Sequence, residues 1–92
     1  MNQKIIKSLP VGREQLVLVE SEERDNENIY RIDEHGAVVW CVAPDVYAKD
    51  DSPYVNITLQ QNGTLLAMNW DGNARVIDVA TGKVIDFIPG RG

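Results

Sequence analysis

Fourteen carboxylates, one histidine and one cysteine are the residues of this 92-residue chain whose types could do chemistry. Asp45, Asp50 and Asp51 fall in one short stretch, and Glu22, Glu23, Asp25 and Glu27 in another. Paired carboxylates can share acid and base work if a fold sets them at a suitable separation in a cleft, and several carboxyl oxygens suit a hard cation such as calcium. The alternating Asp-x-Asp-x-Asp-Gly spacing of a calcium loop is absent from both stretches, so solvated acidic loops are the plainer reading. His35 could act as a general base only beside a nucleophile or carboxylate, and otherwise reads as an exposed turn residue. Cys41 would need an electropositive, partly open setting to be a reactive thiolate, whereas Val39 and Val42 predict an apolar and inert one. Its neighbour Trp40 must point to the opposite face of a strand and, by size, is expected in the core.

Any such groups must be positioned by strands and turns. In residues 70–87, Asp71, Gly72 and Asn73 signal a tight turn, because glycine enters positive φ without a Cβ clash and Asp or Asn bonds the neighbouring backbone. Residues 74–79 suit a strand covered mainly on one face, Ala80, Thr81 and Gly82 a second turn with Gly82 in the left-handed position, and residues 83–88 a further strand rich in β-branched side chains. Pro89 and the glycines after it predict a frayed end.

A second copy of this pattern lies upstream. Residues 28–44 align with 73–89: Ile32 and Asp33 match Ile77 and Asp78 at an offset of 77 − 32 = 45, and Gly36 matches Gly82 at 82 − 36 = 46. Leu16 to Val19 align with Leu65 to Met68 at 65 − 16 = 49. Asp33 first and Gly36 fourth suit the ends of a type I turn. Further strands are predicted over 4–9, ended by Pro10, over 14–20 with Leu16, Val17, Leu18 and Val19 covered on both faces, over 64–69, and over 54–61 with Val55, Ile57 and Leu59 on the buried side. Asn62 and Gly63 read as a tight hairpin turn. Residues 43–53, with Tyr47 as a plug over the core or an exposed recognition residue, form the linker. The expectation is one all-β domain over 1–92, with repeat 1 over about 3–44 and repeat 2 over about 54–89. Each repeat is a four-stranded antiparallel meander.

The run around Asp78, Thr81 and Gly82 resembles the Ala-x-Asp-x-x-Thr-Gly-x-x-x-Trp repeat of the quinoprotein (PQQ-type) β-propellers, and Trp70, Asp71 and Gly72 before it fit that resemblance. Asp33, Gly36 and Trp40 resemble the same repeat, keeping Gly-x-x-x-Trp without the threonine, while Asp86 stands where the second copy would carry tryptophan. The resemblance implies propeller-blade-like sheets, with Asp bonding into the turn, Gly allowing it and Trp packing on the next blade. The quinone site of that family is assembled from several blades and nothing here matches it, so no cofactor is expected. A propeller needs about four to eight blades. Two sheets therefore pack face to face as a small sandwich or flattened barrel, or several chains complete a ring.

Composition narrows the function. A net charge of −5 and a pI near 4.6 argue against a nucleic-acid partner, because phosphate binding needs clustered Lys and Arg. The apolar runs are far short of the roughly 20 residues that span a bilayer, and the polar start is unlike a signal peptide, so the expected location is cytoplasmic with no membrane partner. A single cysteine excludes an internal disulfide. No catalytic, cofactor-binding or metal-ligating set emerges. The expectation is a non-enzymatic protein-interaction or scaffolding module binding another protein or itself, the alternative being a small-molecule or metal-ion binder, or small hydrolase, using the acidic loops.

Overall fold

A computed structural model of the chain describes residues 4–20, 27–43 and 52–90. Its eight strands form two antiparallel sheets in which spatial order follows chain order. The first sheet contains β1 (Ile5–Val11), β2 (Glu14–Val19), β3 (Ile29–Ile32) and β4 (Val38–Cys41). The second contains β5 (Tyr54–Leu59), β6 (Thr64–Asn69), β7 (Ala74–Asp78) and β8 (Val84–Ile88). The chain is all-β, as two four-stranded meanders packed into a small sandwich.

Glycine sets the turns. In three hairpins the residue before the loop donates its N–H to the residue after it: Asp33 to Ala37 at 2.8 Å, Gln60 to Thr64 at 2.9 Å and Asn69 to Asn73 at 2.9 Å. The third loop residue of each, Gly36, Gly63 or Gly72, has φ between 78° and 88°. This is the three-residue hairpin, a type I turn followed by a left-handed residue. The loop at Asn62 and Gly63 is thus one residue longer than the tightest hairpin.

The sandwich is filled from both sheets. Leu16, Leu18, Ile29 and Trp40 of the first meet Tyr54, Ile57, Leu65, Ala67 and Ile77 of the second. Full burial of each aliphatic side chain stabilises by about 1.5–3 kcal/mol. All four of Leu16, Val17, Leu18 and Val19 are buried, as expected for a strand covered on both faces. Arg31 and Val76 occupy the same place in the sequence alignment (76 − 31 = 45), yet Arg31 reaches across the joint, whereas in β7 it is Ile77 that enters the core. The front of the first sheet therefore lies on the back of the second.

Several expectations are corrected. Strand β1 runs through Pro10, which pairs with Gln15; a proline is tolerated because β1 is an edge strand. In β5 Ile57 is buried as expected, but a bulge between Tyr54 and Asn56 puts Tyr54 in the core and leaves Val55 exposed, and Leu59, in phase with Ile57, is exposed at the end of the strand. Gly90 is pinned rather than frayed: its N–H donates to Asn73 Oδ1 at 2.8 Å, and it lies so close to the Gly72 carbonyl that a Cβ would not fit. Tyr47, Asp45, Asp50, Asp51, Glu22, Glu23 and Asp25 lie outside the described residues.

Candidate functional site

Three constellations use the residues singled out above. The first joins the two sheets. Hairpin β7–β8 turns through Asp78, whose Oδ1 accepts the Ala80 N–H at 3.1 Å and whose Oδ2 accepts the Thr81 hydroxyl at 2.9 Å. This holds Gly82 at φ 76°, and on its bare α-carbon rests the Trp40 ring. Trp40 Nε1 donates to the Val79 carbonyl at 2.9 Å, as does Arg31 Nη1 at 2.9 Å. Arg31 Nε is in turn bonded to Glu14 Oε1 at 2.6 Å. Trp40 is buried as expected. At the other end of the joint Asn28 acts as a side-chain ladder rung, with Nδ2 donating to the carbonyls of Tyr54 and Val19 at 2.9 Å each and Oδ1 accepting the Tyr54 N–H at 3.0 Å. This buried amide was not legible beforehand; an asparagine immediately before an apolar strand was the one available signal.

The second constellation is the β6–β7 turn. Asn69 Oδ1 accepts the Asp71 N–H at 3.1 Å, Gly72 N–H donates to the Asn69 carbonyl at 3.0 Å, and Asp71 Oδ1 accepts the Asn73 N–H at 2.9 Å. Asn69 Nδ2 and Trp70 N–H bind the turn to the carbonyls of Ser52 and Pro53, both at 2.9 Å. Asp71 also receives Arg75 bidentately, at 2.9 Å for each arm. The Arg75 side chain has no solvent exposure, and its guanidinium lies 5.1 Å from the centroid of the Phe87 ring. Its hydrogen bonds, then the peptide N–H of Asn73, hold the Asp71 carboxyl below its ordinary pKa against the opposing effect of burial. Trp70, expected with Trp40 among the turn and core residues, is a turn residue and 74% exposed.

The third is a cleft of about 490 Å³ at the turn end of the first sheet, lined by Val11, Arg13, Glu14, Arg31, Asp33, Glu34 and His35. Asp33 is consumed by its own turn: Oδ1 accepts the N–H groups of Ala37 and His35, both at 2.9 Å, and in that order they lower its pKa. Glu34 stands 3.8 Å from Arg13 and 3.7 Å from His35 in a solvent-facing set. His35 is an exposed turn residue, and the residues that line this cleft include no serine, threonine or cysteine. Cys41 departs from expectation: it is exposed, with its thiol 3.3 Å from the Glu27 carbonyl, because Val39 beside it also faces solvent. Among the described residues no group of three or more His, Cys, Asp or Glu side chains is placed to hold a metal ion, and no helix is long and apolar enough to cross a membrane.

These features define a small all-β domain of two stacked sheets. Residues 4–87 match the profile of a domain of unknown function, DUF7957, and the chain belongs to that family. No curated protein matches it.

Proposed function

We propose that the chain is a non-enzymatic protein-interaction module whose recognition element is the turn bearing Trp70. The reading rests on one observation: a 74% exposed indole on a backbone tied down by hydrogen bonds from Asn69, Asp71 and Gly72 and to Ser52 and Pro53. A large aromatic carried on a backbone that is fixed before binding spares the cost of ordering that backbone on contact, and tryptophan is enriched among the residues that dominate interface energies. The blade-like reading of the two sheets belongs to the same proposal, supported by the seat of Trp40 on Gly82 of the neighbouring sheet. A cytoplasmic location is proposed with it, supported by the single cysteine, which cannot form a disulfide within the chain.

The test is capture from lysate at moderate salt on beads carrying the wild type or Trp70→Ala. A protein retained by the first and lost by the second, at unchanged thermal stability, supports the reading. Identical retention by both, or retention of nothing by the wild type, overturns it.

A further inference from the structure

The turn between β5 and β6 places Asn62 directly before Gly63, the one Asn-Gly pair in the chain. A carboxamide followed by glycine can close on the next backbone nitrogen, because no β-carbon on that residue hinders the approach. What the fold does with that nitrogen decides whether it is open to reaction. In the other hairpins the left-handed glycine gives its N–H away: Gly36 to the Asp33 carbonyl and Gly72 to the Asn69 carbonyl, both at 3.0 Å, and Gly82 to the Asp78 carbonyl at 2.7 Å. The Gly63 N–H donates to no acceptor among the described residues.

The carboxamide is prepared as well. Asn62 is exposed, and its Oδ1 accepts the Thr64 N–H at 3.2 Å, a bond that closes a ring through the Gly63 nitrogen and folds the carboxamide toward it. The Thr64 hydroxyl shares its hydrogen between the same Oδ1 and Gln60 Oε1, the latter 2.8 Å away. Both donors sit on the oxygen that gains negative charge when the carboxamide carbon is attacked, which is where fixed dipoles speed an acyl transfer. The pair Asp71 and Gly72 is blocked twice, since the Gly72 N–H is spent on Asn69 and Arg75 holds the carboxylate ionised.

We infer that Asn62 is a self-modification site at which the chain deamidates through its own backbone, and that one product slackens the joint between the sheets. The Gly63 nitrogen loses its proton to solvent and bonds to Asn62 Cγ; the Cγ–Nδ2 bond breaks and ammonia leaves, giving a succinimide. Water then opens the ring at either carbonyl, to an aspartyl or an isoaspartyl residue. In sum, carboxamide and water become carboxylate and ammonium. The isoaspartyl form carries an extra backbone carbon beside Gly63, whose carbonyl accepts the Val79 N–H at 3.3 Å, and the Val79 carbonyl in turn holds Trp40 and Arg31.

The test incubates the native full chain in heavy-oxygen water, in mildly alkaline buffer at physiological temperature, beside a urea-unfolded sample, and maps the label by digestion and mass spectrometry. Label should enter at position 62 before any other asparagine, and Asn62→Gln should suppress it. Thr64→Val should slow the native reaction about three- to tenfold, the worth of one hydrogen bond, and leave the unfolded rate unchanged, while Thr64→Ser keeps the hydroxyl and the wild-type rate. In the isolated isoaspartyl form the Val79 amide should exchange faster with solvent, whereas Asn62→Asp, with the charge but no extra carbon, should match the wild type. The inference falls if position 62 of the native chain stays unlabelled while the unfolded chain converts, if Thr64→Val labels as fast as the wild type, or if the isoaspartyl form leaves Val79 exchange unchanged.

Discussion

The ring of Trp40 lies against Gly82 so closely that a Cβ added there would stand 2.7 Å from ring atoms Cδ2 and Cε3. A side chain from the first sheet thus meets a position in the second that only glycine can fill, for two separate reasons: the backbone is at φ 76° and the space above it is taken.

Those two reasons can be separated by comparison with Gly36, which has φ 85° but nothing within 4 Å of an added Cβ. Gly36→Ala is expected to lower stability by about 1–2 kcal/mol, the cost of placing an L-residue in the left-handed region. Gly82→Ala adds the clash with Trp40 and should lose at least about 1 kcal/mol more, as overpacked sites do. Trp40→Ala should cost about 3–5 kcal/mol. Urea midpoints at constant m-value check all three.

Asp71 and Arg75 predict how the fold responds to acid. The folded-state pKa of Asp71 is lowered, so its contribution is fully present above the unfolded value near 3.8 and is lost as pH falls through the folded value below it. The wild type should therefore lose stability progressively below about pH 4. Asp71→Asn should be about 3–5 kcal/mol less stable at pH 7, because it takes the carboxylate charge away from a buried guanidinium, and its acid limb should be flatter. Denaturant titrations at pH 7, 4 and 2.5 compare the two directly.

Asn28→Ala removes an amide that bonds two carbonyls and one N–H inside the sandwich. Stranding those backbone groups is expected to cost more than about 2 kcal/mol, since each buried unsatisfied group costs about 1–3 kcal/mol. The Tyr54 amide should exchange faster with solvent in the variant, read residue by residue by NMR.

Cys41 is exposed on the face opposite Trp40. Its thiol should react with a disulfide reagent in the native protein at close to one equivalent, with no denaturant added. Cys41→Ser should change stability by less than about 0.5 kcal/mol, as exposed substitutions do.

The hairpins were legible because their punctuation is chemical: glycines at 36, 63, 72 and 82 stand where the backbone needs positive φ, and Asp33 and Asp78 bond into their own turns. Phase within the strands was not. Bulges at Tyr54/Asn56, Arg31/Ile32 and Val76/Ile77 each insert a residue that alternation cannot register. The same weakness misplaced β2 on β6. Leu16 pairs with Arg31 and Leu66 with Val76, so the equivalent offset is 66 − 16 = 50 rather than 49, and one residue exchanges the faces of a strand. Arg75 was the larger omission, because an arginine between apolar neighbours reads as solvent-facing until its partner is seen. That partner lies four residues back around a turn. Trp70 and Trp40 show a related limit, since composition puts tryptophan inside and only the turn around residue 70 turns one of them out.

All the strand ladders close within one half of the molecule, so what clasps the halves is the Trp40 seat, the Asn28 rung, the reach of Arg31 to Val79 and of Lys7 to Ile57, the Ala43 N–H on the Gly82 carbonyl and the oily faces between them. Gly82 follows Trp40 by 82 − 40 = 42 residues. At about 5–20 residues per second of synthesis, the first sheet waits roughly 2–8 seconds for its cover. For that interval the newborn chain shows a greasy, half-finished surface to the ribosome's surroundings, which makes translation speed through the second half a determinant of how much of it survives to fold.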